Sequence, residues 1–411
     1  MRGRSIALVG CSVAALAGTV AASGDSDSGG SGSSGGTLNL YSSLPLQGAS
    51  RPQSEDVVKG IKLALKQHNN KAGGKTIKYT SLDDSTAAAG QWDAAQTKSN
   101  APKVAQDDKA IAYIGEFNSG ASVNSIPTTN EAGILQVSPS NTLFGLTKGG
   151  VGAEDGEPDK YYPAGKRTYG RVVPIDNIQG AAMAQYMKDE GVTSAYILND
   201  QQVYGKGIAS FTSKAAKADG IAIAGSDSWD GKASNYRALA AKIKASGADG
   251  VLIGGIIDNN AIQLAKDIYA AAPDIKQFGP DGVATVDYVK GLSPAIQKQT
   301  FLTVATVDAK DLPASGQKFY SDYKKEYPGD DIDPYAIYGY ESAAIVLDSI
   351  DKAKGDRQGT IDAFFATKDR QSVFGTYSID KDGDTTLTTY GAYTAKGGKL
   401  VFNKAIKAAT S

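Results

Sequence analysis

The sequence predicts an α/β protein that consists of two doubly wound parallel-sheet lobes. From Thr37 onward, short apolar runs alternate with amphipathic stretches of helical length, an order typical of parallel sheets covered by helices. The chain has 411 residues, which is more than one ordinary hydrophobic core accommodates. A stretch rich in Gly, Pro and charge at residues 143–168 interrupts the alternation, which then starts again. This repetition indicates a second lobe.

In the first block, strands and helices follow one another in regular order. We predict strands at residues 37–42, 75–82, 111–114 and 134–137, and helices at residues 55–69, 91–106 and 121–132. The first of these helices has Val57, Ile61 and Leu65 on one face and ends before Gly73 and Gly74. Alternation of this kind implies a parallel sheet with helices on both faces.

The second block repeats this order with a different sequence. We predict strands at residues 194–198, 221–225 and 251–253, and helices at residues 205–218, 235–246 and 261–271. Residues 277–278 then lead into a turn at residues 279–282. Two lobes of this type enclose a cleft, because the loops at the carboxyl ends of the strands in both lobes face inward. The cleft is therefore the expected position of a binding site.

Two loops of the first block are rich in hydroxyl groups and small side chains. Residues 115–119 follow one predicted strand, and residues 138–142 follow its parallel neighbour. Neither loop contains a nucleophile with a base, a group of metal ligands or a phosphate-binding pattern. Hydroxyls, backbone N–H groups and a helix N-terminus together suit a small anion such as a carboxylate. The loops therefore predict a site that holds a ligand without changing it.

The composition excludes several functional classes. Lys and Arg number 43 against 44 Asp and Glu, so charge gives no argument for nucleic acid or an anionic membrane as a partner. The single histidine and the single cysteine, Cys11, argue against His/Cys metal sites and against Ser-His or Cys-His catalysis. Asp380, Asp382 and Asp384 imitate a calcium loop, but Gly391 stands where that loop has its last ligand. We expect no enzyme activity, no metal and no cofactor.

The N-terminus has the features of an export signal. Arg2 and Arg4 precede an apolar, Ala-rich stretch at residues 6–22, and a Gly/Ser-rich tether follows. We predict a signal peptide at residues 1–23 and the tether at residues 24–36. Cleavage near Ala22 and lipid attachment at Cys11 both remain open, and a lipid anchor would be the only link to a membrane. The mature chain is expected outside the cytoplasm.

The motifs of the two blocks resemble the branched-chain amino acid (Leu/Ile/Val) binding proteins of ABC transporters, which have the type I periplasmic-binding-protein fold. The resemblance rests on YIGEFNSGASVNSIPTTNEAGILQVSPSNT at 113–142, ILNDQQVYGKGIA at 197–209 and FGPDGV at 278–283. It extends from about Thr37 to beyond Phe374. Each motif alone is weak, but their order and spacing over most of the chain are specific.

The resemblance implies that a three-strand hinge joins the lobes. The chain would cross between them near Val173, Thr306 and Phe374. The implied N-terminal lobe comprises residues 37–173 plus 307–373, and the C-terminal lobe comprises residues 174–306 plus 374–411.

The resemblance also implies the ligand contacts. Ser119 corresponds to the loop serine that binds the ligand carboxylate, and Ser140 and Thr142 complete the site for the carboxylate and ammonium. Tyr204 matches a tyrosine that closes over the ligand, and Asp281 matches an acidic residue for the α-ammonium. From the residues alone, Ser119 could equally cap a helix and Asp281 could be a turn residue.

Three further positions depart from the pattern of the leucine-binding relatives. Gln53 stands where they have a large aromatic residue, Ile256 where they have a tyrosine, and Asn118 where they have a disulfide cysteine. Gln53 and Ile256 are expected to select the ligand side chain, and Gln53 favours a polar or amide-bearing amino acid over leucine. Urea, short amides and aromatic acids remain open as alternatives.

The resemblance implies the solute-binding component of an ABC importer. Such a protein is expected to be a monomer that closes on a small ligand, an amino acid, and is then recognised by an ABC permease. The alternative is a ligand-sensing module of the same fold that acts with a separate receptor.

Overall fold

The computed structural model describes residues 35–329 and 331–408. The predicted signal peptide, Cys11 and most of the Gly/Ser tether lie outside the described residues. The strands are β1 (Thr37–Leu44), β2 (Lys71–Ala72), β3 (Lys75–Asp83), β4 (Ser85–Thr86), β5 (Gln91–Trp92), β6 (Ala110–Gly115), β7 (Leu135–Ser138), β8 (Tyr169–Arg171), β9 (Ser194–Asn199), β10 (Ala222–Ser228), β11 (Gly250–Gly254), β12 (Lys276–Gly279), β13 (Thr300–Val304), β14 (Arg370–Ser372), β15 (Gly375–Tyr377), β16 (Thr389–Lys396) and β17 (Lys399–Lys407).

Helices separate most of these strands. The α-helices are α1 (Arg51–Gln67), α2 (Ala94–Ala105), α3 (Ser119–Glu131), α4 (Asp176–Asp189), α5 (Val203–Ala218), α6 (Arg237–Ala245), α7 (Ala261–Ala271), α8 (Val286–Gly291), α9 (Pro294–Gln297), α10 (Ala314–Glu326), α11 (Ala336–Lys352) and α12 (Arg357–Phe365). Short 3₁₀ helices lie at Phe144–Leu146, Asp159–Tyr161, Ile257–Asn259 and Ala309–Asp311.

The strands form two main sheets. The first has the order β2-β3-β1-β6-β7-β8, and all its pairs are parallel except β2 with β3. The second has the order β10-β9-β11-β12-β13-β16-β17, in which β10 to β13 are parallel and the last two strands are antiparallel. The predicted α/β fold with two parallel-sheet lobes is confirmed.

The chain passes between the two sheets more than once. It leaves the first sheet after β8, and α4 packs against α5 of the second sheet's side. After β13 it returns to the first sheet, where α11 packs along α1 and against β6. It then contributes β16 and β17 to the second sheet. Residues that are distant in sequence therefore meet at the faces between the sheets.

The central strands are buried on both faces. Every residue of β6 and of β11 is buried, as expected for strands of a parallel sheet that helices cover on both sides. The predicted apolar face of α1 is buried as well, with Val57, Ile61 and Leu65 at most 2% exposed. These buried strands and helices form the framework that holds the loops at their carboxyl ends.

The start of α2 differs from the predicted helix at residues 91–106. The Asp93 carboxylate accepts hydrogen bonds from the backbone N–H groups of Ala95 and Gln96, each at 2.9 Å, so the helix begins at Ala94. Gln91 and Trp92 instead form β5, which pairs with β4 as a small hairpin. The prediction extended the helix through Gln91 and Trp92 because it relied on helical periodicity and did not take this cap into account.

A lysine occupies the centre of the acidic turn at residues 380–384. The Nζ of Lys148 lies 2.5 Å from Asp380 Oδ2 and 2.6 Å from Asp382 Oδ2. Arg171, which is fully buried, binds Asp384 through its Nε at 2.8 Å. Protein cations thus neutralise the carboxylates that imitate a calcium loop in the sequence.

Candidate functional site

A pocket lies between loops of the first sheet and loops of the second. Its empty volume is about 380 Å³, including its open mouth. The first sheet's side contributes Gln53, Phe117, Asn118, Ser119, Ser140 and Tyr335, and the second sheet's side contributes Gln202, Tyr204, Ile256, Asp281 and Gly282. Six of the seven predicted site residues therefore line one pocket; the seventh, Thr142, does not.

Ser119 is the first residue of α3 and lies at the pocket wall. It is 4% exposed, and its Oγ accepts a hydrogen bond from the backbone N–H of Leu143 at 3.4 Å. The N–H groups of the first turn of a helix have no partner within the helix. Ser119 thus combines a hydroxyl with a helix N-terminus, an arrangement that favours a negatively charged group.

Ser140 joins the two hydroxyl-rich loops. Its Oγ donates a hydrogen bond to the carbonyl of Phe117 at 2.8 Å, and the Oγ of Ser138 donates to the carbonyl of Glu116 at 2.8 Å. The Ser138 hydroxyl also accepts the N–H groups of Ser140 and Asn141. The Ser140 hydroxyl therefore fixes the spacing of the loops in this structure.

Thr142 lies just behind the pocket. It is 1% exposed, and its backbone carbonyl accepts the N–H of Asp176 at 2.8 Å. Burial raises the pKa of Asp176 to about 7, and the Thr142 hydroxyl opposes that rise. Its predicted contact with the ligand stays a prediction.

Asp281 lies on the second sheet's side of the pocket and accepts hydrogen bonds from two tyrosine hydroxyls. Tyr204 Oη donates to Asp281 Oδ1 at 2.6 Å, and Tyr335 Oη donates to Asp281 Oδ2. Burial raises the pKa of Asp281, while the two tyrosine hydroxyls stabilise its charged form. Since a carboxylate can accept about four hydrogen bonds, Asp281 retains capacity for a ligand donor.

Gln53 and Ile256 lie on opposite sides of the pocket. Gln53 is in the first turn of α1 and is 3% exposed, and Ile256 follows β11 and is 4% exposed. Ile256 packs with Tyr204 and Ile208 in a small apolar cluster. The pocket thus has a polar amide on the first sheet's side and an aliphatic surface on the other.

Hydrogen bonds at the rim connect the two sides. Trp92 Nε1 donates to Gln202 Oε1 at 3.1 Å, and Gln202 Nε2 donates to Gln91 Oε1 at 3.0 Å. The carboxylate of Asp258 accepts the backbone N–H groups of Ala49 at 2.6 Å and Ser50 at 3.1 Å, directly before α1. The structure is therefore in a form in which both sides of the pocket are in contact.

The pocket lining contains carboxylate, amide, hydroxyl and aromatic groups but neither histidine nor cysteine. Among the described residues, the group that could hold a metal ion comprises His68, Asp348 and Asp351. His68 follows the C-terminal end of α1, whereas Gln53 is near its N-terminal end, so this group is more than 20 Å from the pocket by helix length, roughly 1.5 Å per residue. The pocket lining is suited to hydrogen bonding.

A family comparison decides to which class of proteins the chain belongs. Residues 42–399 match the model of the family described as "Periplasmic binding protein". The chain is a member of the periplasmic binding protein family. The predicted resemblance is thereby confirmed at the level of the family.

Individual relatives agree with this membership. This periplasmic binding protein is 26% identical to a Leu/Ile/Val-binding protein of Rhizobium johnstonii over 365 residues, which is 87% of this chain and 91% of the relative. It superposes on a leucine binding protein of Thermotoga maritima with a TM-score of 0.79 at 20% identity, covering 90% of this chain and 99% of that one. A solute binding protein of R. palustris in complex with benzoate gives a TM-score of 0.74 at 19% identity, covering 92% and 98%.

Family membership confirms two further predictions about this periplasmic binding protein. The family and its relatives are binding proteins, which confirms that the chain is not an enzyme. The family is also extracytoplasmic, in agreement with predicted export. None of the helices in the described part of the chain has both the length and the hydropathy of a membrane-spanning segment.

Five residues of the lining were not among the predicted site residues: Phe117, Asn118, Gln202, Gly282 and Tyr335. Phe117 and Gln202 lie beside predicted site residues in sequence, and their positions in the two ligand loops could have indicated them. Tyr335 is different, because it lies 54 positions from Asp281 and directly before α11. Its sequence context indicates only the start of an apolar helix, so its contact with Asp281 depends on the return of the chain to the first sheet.

Proposed function

We propose that this protein is the solute-binding component of an ABC importer and binds an amino acid in the pocket between its two lobes. One observation supports this most. Ser119 and Asp281 are far apart in the sequence but line the same pocket. The α3 N-terminus and Ser119 would receive the α-carboxylate, and Asp281 would receive the α-ammonium. Charge-assisted hydrogen bonds of this type contribute about 1.5–3 kcal/mol each.

The remaining predicted residues have supporting roles in this proposal. Tyr204 would close over the ligand and orient Asp281, and Ser140 would hold the loop that faces the carboxylate. Thr142 would support the same loop from behind. Gln53 and Ile256 would contact the ligand side chain and select between a branched-chain amino acid and a polar one.

The lobes are proposed as residues 37–173 plus 307–373 and residues 174–306 plus 374–411. A ligand that contacts both lobes binds fully only when they are closed, so ligand binding would favour the closed form. A monomer in this closed form would be the species that an ABC permease recognises. Export would place it outside the cytoplasm, either free after cleavage near Ala22 or anchored to the membrane through a lipid on Cys11.

A ligand screen tests the proposed function. The mature chain would be mixed with each amino acid, urea, short amides and benzoate, and thermal shift and calorimetry would be recorded. We expect an amino acid to stabilise the protein, and Ser119→Ala and Asp281→Ala to abolish that effect. Ser228→Ala, at an exposed serine outside the pocket lining, is the matched control. Unchanged binding by both pocket variants would show that the proposed site is wrong.

A further inference from the structure

A second cavity adjoins the pocket. It is lined by the start of α1, the start of α8 and the segment before α11, and its empty volume is about 510 Å³, including its open mouth. Gln53 lines both the pocket and this cavity. The pocket and the cavity therefore meet at the Gln53 side chain.

The lining of this cavity is strongly acidic. Its carboxylates belong to Asp56, Asp287, Asp331 and Asp333, and its one basic residue is Lys290, which is exposed. Asp56 already has a partner, because its Oδ1 lies 2.9 Å from Lys59 Nζ. The cavity carries an excess of negative charge that a cationic group would reduce.

After Asp56, Asp333 is the most buried of these four residues. It is 6% exposed, and its Oδ1 accepts the backbone N–H of Tyr335 at 2.9 Å. In the part of the chain that the structure describes, no Lys, Arg or His forms an ion pair with it. Burial raises the pKa of Asp333 to about 7, and the charges of Asp56 and Asp287 contribute to that rise. A buried carboxylate without a cation is unfavourable unless a partner arrives.

Gln53 and Tyr335 connect Asp333 to the ligand pocket. Gln53 lines the cavity together with Asp333, and its amide opposes the rise in the pKa of the Asp333 carboxyl. Tyr335 contacts Asp281 through its hydroxyl and Asp333 through its backbone N–H. Tyr335 thus contacts both carboxylates, that of Asp281 in the pocket and that of Asp333 in the adjoining cavity.

We propose that the ligand is a basic amino acid whose cationic side-chain end enters this cavity and pairs with Asp333. Gln53 lies beside the side chain on its way to Asp333. The inference rests on the proposed function, since it takes the α-carboxylate and α-ammonium to lie between Ser119 and Asp281. An aliphatic side chain such as that of leucine would leave Asp333 without a cation and would bury the Gln53 amide without a new partner.

Calorimetric titration of the mature chain tests this inference. The ligands would be L-arginine, L-lysine, L-glutamine and L-leucine, together with agmatine, which lacks the carboxylate of arginine, and calcium chloride. The variants would be Asp333→Asn, Gln53→Leu and, as a matched control for the loss of one charge, Asp274→Asn at an exposed position. Thermal unfolding without ligand would establish that each variant is folded.

We expect arginine or lysine to bind most tightly and Asp333→Asn to weaken that binding by about 30-fold or more, as for removal of one partner of a buried charge pair. Asp274→Asn should bind as the wild type does, and agmatine should bind weakly because it has no group for Ser119. Tight binding of leucine or glutamine without binding of a basic amino acid would overturn this inference and leave the proposed function intact. Binding of calcium in preference to arginine would also overturn it. Binding of none of the four amino acids would overturn this inference, and the screen with every amino acid then decides on the proposed function.

Discussion

Tyr335 donates its phenolic hydrogen bond to Asp281 from the opposite side of the ligand pocket. Tyr335 precedes α11, which packs on α1 and the first sheet, whereas Asp281 follows β12 of the second sheet. The bond therefore connects the two sheets at the position where the ligand ammonium is proposed to bind. It both stabilises the charge of Asp281 and contributes to contact across the cleft.

Tyr335→Phe should destabilise the protein by about 1.5–3 kcal/mol at pH 7, because a buried carboxylate loses one of its two phenolic donors. Urea denaturation without ligand measures this change. Tyr288→Phe is the matched control, since Tyr288 is equally buried and its hydroxyl makes no hydrogen bond within the described residues. Equal effects of the two substitutions would show that the Tyr335 bond contributes nothing specific.

Asp258→Ala should weaken ligand binding although Asp258 does not line the pocket. Its carboxylate accepts the N–H groups of Ala49 and Ser50 from the other side of the cleft, so its loss should favour the open form. We expect an affinity loss of about tenfold, the factor that corresponds to about 1.4 kcal/mol. Small-angle scattering should show a larger radius of gyration for the variant without ligand. Unchanged scattering and affinity would exclude this role.

Asp176→Asn should change how stability depends on pH. Burial raises the pKa of Asp176 from 3.8 to about 7, so the folded protein retains the proton that the unfolded chain loses. This contribution to stability is fully present below pH 3.8 and is lost as the pH rises to about 7. Relative to the variant, the wild type should lose at most about 4 kcal/mol over that range. Urea denaturation between pH 4 and pH 7 measures it; parallel curves for wild type and variant would contradict the prediction.

Lys148→Met should destabilise the acidic turn at residues 380–384. Lys148 contacts Asp380 and Asp382 and is 25% exposed in its side chain, so its removal takes away the cation that these two carboxylates share. We expect a loss of about 1–3 kcal/mol, between the values for exposed and buried pairs. Lys381→Met is the control, because Lys381 also contacts Asp382 but is 88% exposed. If both variants unfold at the same urea concentration as the wild type, the lysine has no such role.

The alternation of apolar runs and amphipathic stretches was sufficient to predict the central strands of both sheets, since buried parallel strands such as β6 and β11 leave continuous apolar segments in the sequence. It did not predict β8, β13, β16 or β17. Helix ends were less predictable. At α2, the capping carboxylate of Asp93 sets the start of the helix, so Trp92 lies at the rim of the pocket and not within the helix. Such an end depends on a single side chain rather than on periodicity.

The predicted site residues came mostly from loops with recognisable motifs, and Ser119, Tyr204 and Asp281 do line one pocket. Tyr335 and Asp258 could not be predicted in the same way. Each acts on a residue across the cleft, and nothing in the local sequence of either indicates its partner. Contacts across the cleft follow from the path of the chain between the sheets, which becomes visible only in the folded structure.

Calorimetry with matched ligand analogues tests the proposed amino-acid site most directly. The wild type, Ser119→Ala and Asp281→Asn would be titrated with the amino acid found in the screen, with its deamino analogue and with its carboxamide analogue. We expect removal of the ligand amino group to weaken binding to the wild type by at least about tenfold but to have little effect on binding to Asp281→Asn. Removal of the carboxylate should likewise weaken binding to the wild type but have little effect on binding to Ser119→Ala. Equal affinity of the wild type for the amino acid and its deamino analogue would contradict the assignment of Asp281.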